Sequence, residues 1–219
     1  MPSRHAVPFQ LRDLHTVVLR RRVGKLRALL VHQDARMRKV HMLDGKGTSQ
    51  TFAITLFAPA AISPEWKQIH AQIRAGKFIG ETFRAHGYEV RKNVVAVRVI
   101  ELPEGLRQKF RTRGTHAKVR WSEFIARKNN GPPLVYAMVA EVYPPWFRRA
   151  RIKDVDRRQI NPPVLFLQKN GISLGELWER IGKNNRWKGR EKERARALEA
   201  GQPVIRNLER VLNREIRRV

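Results

Sequence analysis

Residues 118–148, KVRWSEFIARKNNGPPLVYAMVAEVYPPWFR, decide how the chain is read. Two runs rich in Val, Ile, Tyr, Phe and Trp flank Asn129-Asn130-Gly131. Asn and Gly tolerate the positive φ of a tight loop, so the stretch predicts two long antiparallel strands, adjacent and central in a sheet. On the second strand, a period of two puts Val135, Ala137, Val139 and Glu141 on one face. A carboxylate at the end of an apolar row needs a partner, and Arg120 or Arg148 would supply one.

Outward from this hairpin, residues 36–58 read as a second one, turning at Asp44-Gly45-Lys46-Gly47. Ser63-Pro64-Glu65 is a helix start, with a capping hydroxyl and Pro at the first helical position. Trp66, Ile69 and Ile73 follow at helical spacing, and Gly76 closes the helix. Phe78 to His86 predicts a short second helix stopped by Gly87. Tyr88 to Ile100 predicts a strand with Arg91, Val95, Val97 and Val99 on one face. Pro103-Glu104 opens another short helix, and Arg107, Lys109, Arg111 and Arg113 form a basic loop before the central strands.

The order of these elements carries three segments: Lys77-Phe-Ile-Gly-Glu81, Glu101-Leu-Pro-Glu-Gly-Leu106 and Gly131-Pro-Pro-Leu-Val-Tyr-Ala-Met-Val-Ala-Glu141. With them, residues 36–149 resemble the chorismate-pyruvate lyase family and the related ligand-binding domains of bacterial transcription regulators. The resemblance implies a mixed antiparallel sheet with short helices around a small-molecule cavity. It puts the product-binding glutamate at Glu141, the pocket leucine and glycine at Ile79 and Gly80, and the carboxylate-binding arginine at Arg38, with Arg36 as second choice. A guanidinium suits a carboxylate substrate. Phe78 stands where the family has proline and Ala140 where it has threonine, and its N-terminal helix with a glycine-serine/threonine signature is missing. Catalysis is therefore not expected.

The flanks are basic. Residues 1–35 read as an arm in which Arg20, Arg21, Arg22, Lys25 and Arg27 stand against a single early acid, Asp13; a basic first strand is the other reading. Beyond Pro144-Pro145, Trp146, Arg148, Arg149 and Arg151 interleave aromatics with cations, the combination that grips phosphates and stacks bases. Asn161-Pro162-Pro163 is a linker-like break. Ser173 to Glu176 is a capping box into a helix with Leu177, Trp178 and Ile181 on one face. Arg186, Trp187, Lys188 and Arg190 belong to an irregular loop whose tryptophan is an anchor or a stacking platform. From Pro203 a last helix presents Ile205, Leu208, Leu212 and Ile216 on one side.

The fold expectation is α+β: a mixed, mainly antiparallel sheet with short helices over 36–152, a basic arm before it and a basic helical extension over 153–219. Across 219 residues, 46 Lys+Arg against 19 Asp+Glu leave +27, which self-repulsion opposes unless a polyanion neutralises it. The absence of cysteine excludes disulfides, thiolate zinc and a cysteine nucleophile. No apolar run reaches the ~20 residues of a membrane helix, the histidines lack metal spacing, and no phosphate loop, catalytic triad or internal repeat is found. The expected function is a non-catalytic RNA-binding structural protein of a ribosome-like particle, in the cytoplasm or an organelle matrix. Its expected partners are structured RNA and other proteins of the particle, with no membrane and no cofactor. The alternative is a lyase-like enzyme or small-ligand domain using Arg38, Ile79, Gly80 and Glu141; a transcription regulator comes third.

Overall fold

The computed structural model of the protein describes residues 15–58, 61, 63–149, 160–169, 171–182, 187 and 189–218. In chain order, α1 (His15–Val23) precedes β1 (Leu26–Gln33), β2 (Met37–Asp44) and β3 (Ser49–Phe57). Then come α2 (Lys67–Arg74), α3 (Ile79–Ala85), β4 (Glu89–Glu101), α4 (Glu104–Phe110), β5 (His116–Arg127) and β6 (Leu134–Tyr143). The helices α5 (Val164–Lys169), α6 (Leu174–Gly182) and α7 (Glu191–Ile216) end the chain.

The central hairpin forms as its residues predict. Asn129 and Asn130 take φ of 46° and 57°, and β5 and β6 run antiparallel from Lys118↔Tyr143 to Ala126↔Leu134. The whole sheet is antiparallel, in the order β1-β2-β3-β6-β5-β4. Two sequential three-stranded meanders thus meet at β3 and β6. β6 is interior to the sheet, whereas β5 has only β4 outside it. Residues 26–33 take the strand reading: β1 pairs along β2 as one sheet edge.

Two bulges break the period-two expectation. The β5–β6 register passes from Phe124↔Ala137 to Ile125↔Val135, so Tyr136 is an extra residue. Tyr136 and Ala137 therefore both enter the core with Val139, while Val135 turns to the other face. In β4, Val95 is extra between Val94↔Ser122 and Ala96↔Trp121. Val95 and Ala96 pack together, and Val99 is 63% exposed, away from Val95's face.

Helices cover both faces of the sheet. On one, Leu19 of α1, Ile69 and Ile73 of α2 and Phe83 of α3 join Trp66, Phe124, Tyr136 and Ala137 in an aromatic-rich core. Ser63 differs from expectation, since its hydroxyl makes no cap bond and is buried without a partner. On the opposite face, Leu106 and Phe110 of α4 and Ile205, Leu212 and Ile216 of α7 cover Phe52, Ile54 and Trp121. α5 and α6 add Leu167, Leu177 and Trp178 over Ile125. The Ser173 hydroxyl caps α6 through the Glu176 N–H at 3.0 Å. The last helix begins twelve residues before Pro203, at Glu191, and Pro203 lies inside it. The helix continues because Ala197 and Ile205 on either side of the proline are both buried. Lys39 of β2 and Glu215 of α7 form a buried ion pair at 2.5 Å, which ties the C-terminal segment to the sheet.

Candidate functional site

Glu141 and Arg120 are cross-strand neighbours in β6 and β5, so period two brings both side chains to the α1–α3 face of the sheet. Arg120 donates to Glu141 Oε2 through Nε at 3.1 Å and Nη2 at 2.5 Å. Tyr143, two residues along β6, adds its hydroxyl to Oε2 at 2.8 Å. From β4, Lys92 Nζ reaches Oε1 at 2.5 Å. Burial alone would raise the Glu141 pKa, yet Lys92 and Arg120 hold it well below the usual carboxylate range. The same burial depresses Lys92 and pushes the Tyr143 phenol well up.

This cluster borders a cavity of about 50 Å³. β2 contributes Arg38, Val40 and Met42, β3 contributes Ala53 and Thr55, and β6 contributes Val139 beside Glu141. Phe78, Ile79 and Gly80 close one side at the start of α3, and His15 and Thr16 of α1 close another. Arg38 is 2% exposed. Its Nη1 donates to the Lys77 carbonyl at 3.2 Å, but Nε and Nη2 are buried with no acceptor among the described residues. Burial lowers its pKa. His15 Nε2 pairs with Thr51 Oγ1 at 2.8 Å, and burial takes its pKa down to about 3, so the imidazole is neutral at pH 7. Among the described residues the lining therefore holds three cations, counting Arg120 behind it, against the carboxylate of Glu141. A buried excess of positive charge with open guanidinium N–H groups calls for an anion.

All four residues transferred by the resemblance, Arg38, Ile79, Gly80 and Glu141, line this one cavity. The second choice, Arg36, is exposed, its backbone N–H bonded to Asp34 Oδ1 at 2.7 Å. A helix does stand at the front: α1, within the segment expected to be an arm, supplies His15 and Thr16. Sequence reasoning also missed Lys92. The same logic that marked Glu141 could have found it, because period two puts Lys92 in one row with Val90 and Val94 on β4. For His15 no signal stands out.

The residues expected to bind nucleic acid divide into separate groups. Arg20, Arg21, Arg22, Lys25 and Arg27 are exposed at the end of α1 and the start of β1. Arg20 pairs with Glu81 at 2.6 Å. The Arg22 guanidinium lies 5.1 Å from the Trp146 ring and 5.0 Å from Phe147. Trp146 Nε1 donates to the Phe110 carbonyl at 3.1 Å, and Arg111 Nη2 donates to the Lys46 carbonyl at 3.1 Å. Arg113 is exposed, and Arg148 and Arg149 lie in the short 3-10 turn Pro145–Arg149. These positions gather at one end of the sheet.

The loop before α7 is different. Trp187 is 5% exposed and donates to Asn161 Oδ1 at 2.8 Å, so it is a core anchor and not a stacking platform. Arg190 is held by Glu176 at 2.7 Å and by Glu193. Arg151, Arg186 and Lys188 fall outside the described residues. Among the described residues, no cluster of three or more His, Asp or Glu could hold a metal, and no helix is long and apolar enough to cross a membrane. The chain matches no family model and no curated protein.

Proposed function

We propose that this chain is a small-ligand-binding protein of the chorismate-lyase type whose cavity beside Arg38 takes a small carboxylate anion. The observation that carries the reading is Arg38, with two guanidinium nitrogens buried and unpartnered among the described residues beside a cavity. Leaving buried donors unmade costs about 1–3 kcal/mol, and a carboxylate placed against them removes that cost while balancing the excess positive charge. Glu141 does not itself meet the anion. Its oxygens are taken by Lys92, Arg120 and Tyr143, so it holds those donors in place and limits the positive field.

Size narrows the ligand class. At about 50 Å³ the cavity has room for roughly three to five waters, which matches a carboxylate of a few heavy atoms better than a ring-bearing dicarboxylate. The test is calorimetric titration with acetate, pyruvate and malonate, with chloride as control. Wild type should bind at least one carboxylate, and Arg38→Met should lose that binding at least tenfold while remaining folded. Equal affinity in the two proteins, or no heat with any carboxylate, would overturn the reading. A cavity for one small anion needs a focused field and does not account for a net charge of +27.

A further inference from the structure

Antiparallel pairing carries the starts of β1, β3 and β5 and the ends of β2, β4 and β6 to the same end of the sheet. Five strand intervals make a row about 24 Å long. Exposed cations stand along it from distant parts of the chain: Lys25 and Arg27 leading into β1, Lys46 in the β2–β3 turn, and Arg111 and Arg113 before β5. The Arg111 bond to the Lys46 carbonyl and the Arg22 contact with Trp146 fix these segments to one another. Two acids interrupt the row. Asp44 is occupied by the backbone N–H groups of Lys46 and Thr48 and by Gln50 Nε2, and Glu101 is exposed at the end of β4.

Two hollows open on this end. Near β1 lies a groove of about 600 Å³ lined by Arg20, Lys25 and Arg27 and by Asp44, with Arg20 paired to Glu81. Near β4 and β5 lies a notch of about 130 Å³ whose walls are Val99, Pro144, Pro145 and Phe147, joined by His116 and Lys118. A groove with three cations suits phosphates. A half-open, mainly apolar notch with an imidazole and an ammonium beside it suits the flat face of a base and its adjoining phosphate.

We propose that this end of the sheet binds a single strand of nucleic acid, with phosphates running along the Lys25–Arg113 row and a base seated in the Val99–Pro145 notch. An acidic peptide would match the cations but has no flat ring for the notch. Of the large exposed apolar residues, Leu29, Leu30 and Val31 lie farther along β1 and Val99 alone stands at this end, in the notch, so among the described residues the cations are not backed by a broad apolar patch of the kind that enters lipid. None of the row or notch residues lines the Arg38 cavity, so the two proposals stand or fall separately.

Fluorescence anisotropy on the full chain tests it, with labelled oligo(U) and oligo(dT) 20-mers and a 20-base-pair duplex between about 50 and 200 mM salt. The oligo(U) and oligo(dT) arms report whether the strand is RNA or DNA, and binding of either supports the proposal. Removing four phosphate contacts with Lys25→Ala, Arg27→Ala, Lys46→Ala and Arg113→Ala together should flatten the log–log salt slope by about 3, at roughly 0.7 per contact. The equally discharged control Lys192→Ala, Arg196→Ala, Arg206→Ala and Arg210→Ala, on exposed positions of α7, should leave the slope nearly unchanged. His116→Ala should weaken single-strand binding roughly five- to tenfold at every salt without changing the slope. Thermal melts check that each variant is folded, and should the quadruple variant not fold, Arg113→Ala and His116→Ala alone carry the test. Equal losses in the two quadruple variants, a duplex bound as tightly as the single strands, or wild-type affinity weaker than about 10 μM at 50 mM salt would overturn the proposal. So would sedimentation with anionic phosphatidylserine vesicles without binding to either oligonucleotide.

Discussion

Glu141 and Glu123 are both buried glutamates on neighbouring strands, and they face opposite sides of one sheet. Glu141 looks toward α1–α3, where its donors are cationic and a cavity adjoins it. Glu123 looks toward α5, and among the described residues its donors are all neutral: Asn93 Nδ2 at 2.6 Å and the Val164 N–H at 2.8 and 3.1 Å. Burial therefore wins at Glu123, and its pKa rises to about 7 in spite of Asn93 and Val164. At Glu141 the charged partners win. Burial and residue type are shared, so the charge of the donors and the space beside them separate a carboxylate that organises a site from one that fastens a helix.

The sharpest way to break this comparison is to neutralise each acid in turn. Glu141→Gln leaves Lys92 and Arg120 buried without a counter-charge and should cost about 3–5 kcal/mol in urea unfolding at pH 7. Glu123→Gln should cost under about 1 kcal/mol at pH 8. Asn93 Oδ1 is buried without a partner, and rotating the Asn93 amide lets it accept from the new glutamine. Equal losses in the two variants would mean that the cationic donors are not what distinguishes Glu141.

The pH dependence sharpens the same contrast. Glu123 is protonated in the fold and ionised in the unfolded chain between about pH 4.5 and 7, so its contribution is full below 4.5 and lost as pH rises through 7. Burial lowers His15 to about 3 and His41 to about 4. Both are neutral in the fold, so their contribution is full above 6.5 and lost as pH falls toward those values. Between 4.5 and 6.5 the opposing slopes partly cancel in the wild type. Glu123→Gln removes one of them, so relative to wild type it should gain about 3 kcal/mol from pH 4.5 to pH 7. Parallel wild-type and variant stability curves across that window would refute the raised Glu123 pKa.

The sheet was readable because its turns carry residues with few other uses: Asn129-Asn130 and Gly47 take the positive φ that their types favour. The Glu141–Arg120 pair was readable because both lie on predicted adjacent strands, and alternation supplies the face. The bulges at Val95 and Tyr136 were not, since neither position carries a glycine or any other local mark; tertiary packing of two successive residues decides them. The role of the C-terminal segment was half readable. Periodicity showed that α7 has an apolar side, but only the three-dimensional structure shows that this side covers Phe52, Ile54 and Trp121 of the same sheet. Trp187 illustrates the limit from the other direction: its basic sequence neighbours left an anchor and a stacking platform both open, and its indole's bond to Asn161, 26 positions away, decides for the anchor.

The smallest expected effect isolates the site from the fold. Arg38→Met keeps an unbranched apolar stem of similar length and deletes the guanidinium. The native residue makes one hydrogen bond, to the Lys77 carbonyl, and leaves two buried nitrogens unmet. Losing the bond costs about 1 kcal/mol, and removing the unmet donors returns about 1–3 kcal/mol, so without ligand the variant should be as stable as wild type or more so, with a gain centred on about 1 kcal/mol and reaching about 2 at most. For a chain of this length that is a rise in Tm of roughly 2–4 °C. A saturating carboxylate should reverse the order, because a ligand stabilises only the protein that binds it. An arginine kept for structure would behave in the opposite way, with Arg38→Met melting several degrees lower and added carboxylate changing neither protein. Melting curves of the two proteins with and without ligand therefore separate an arginine held ready for an anion from one that only packs.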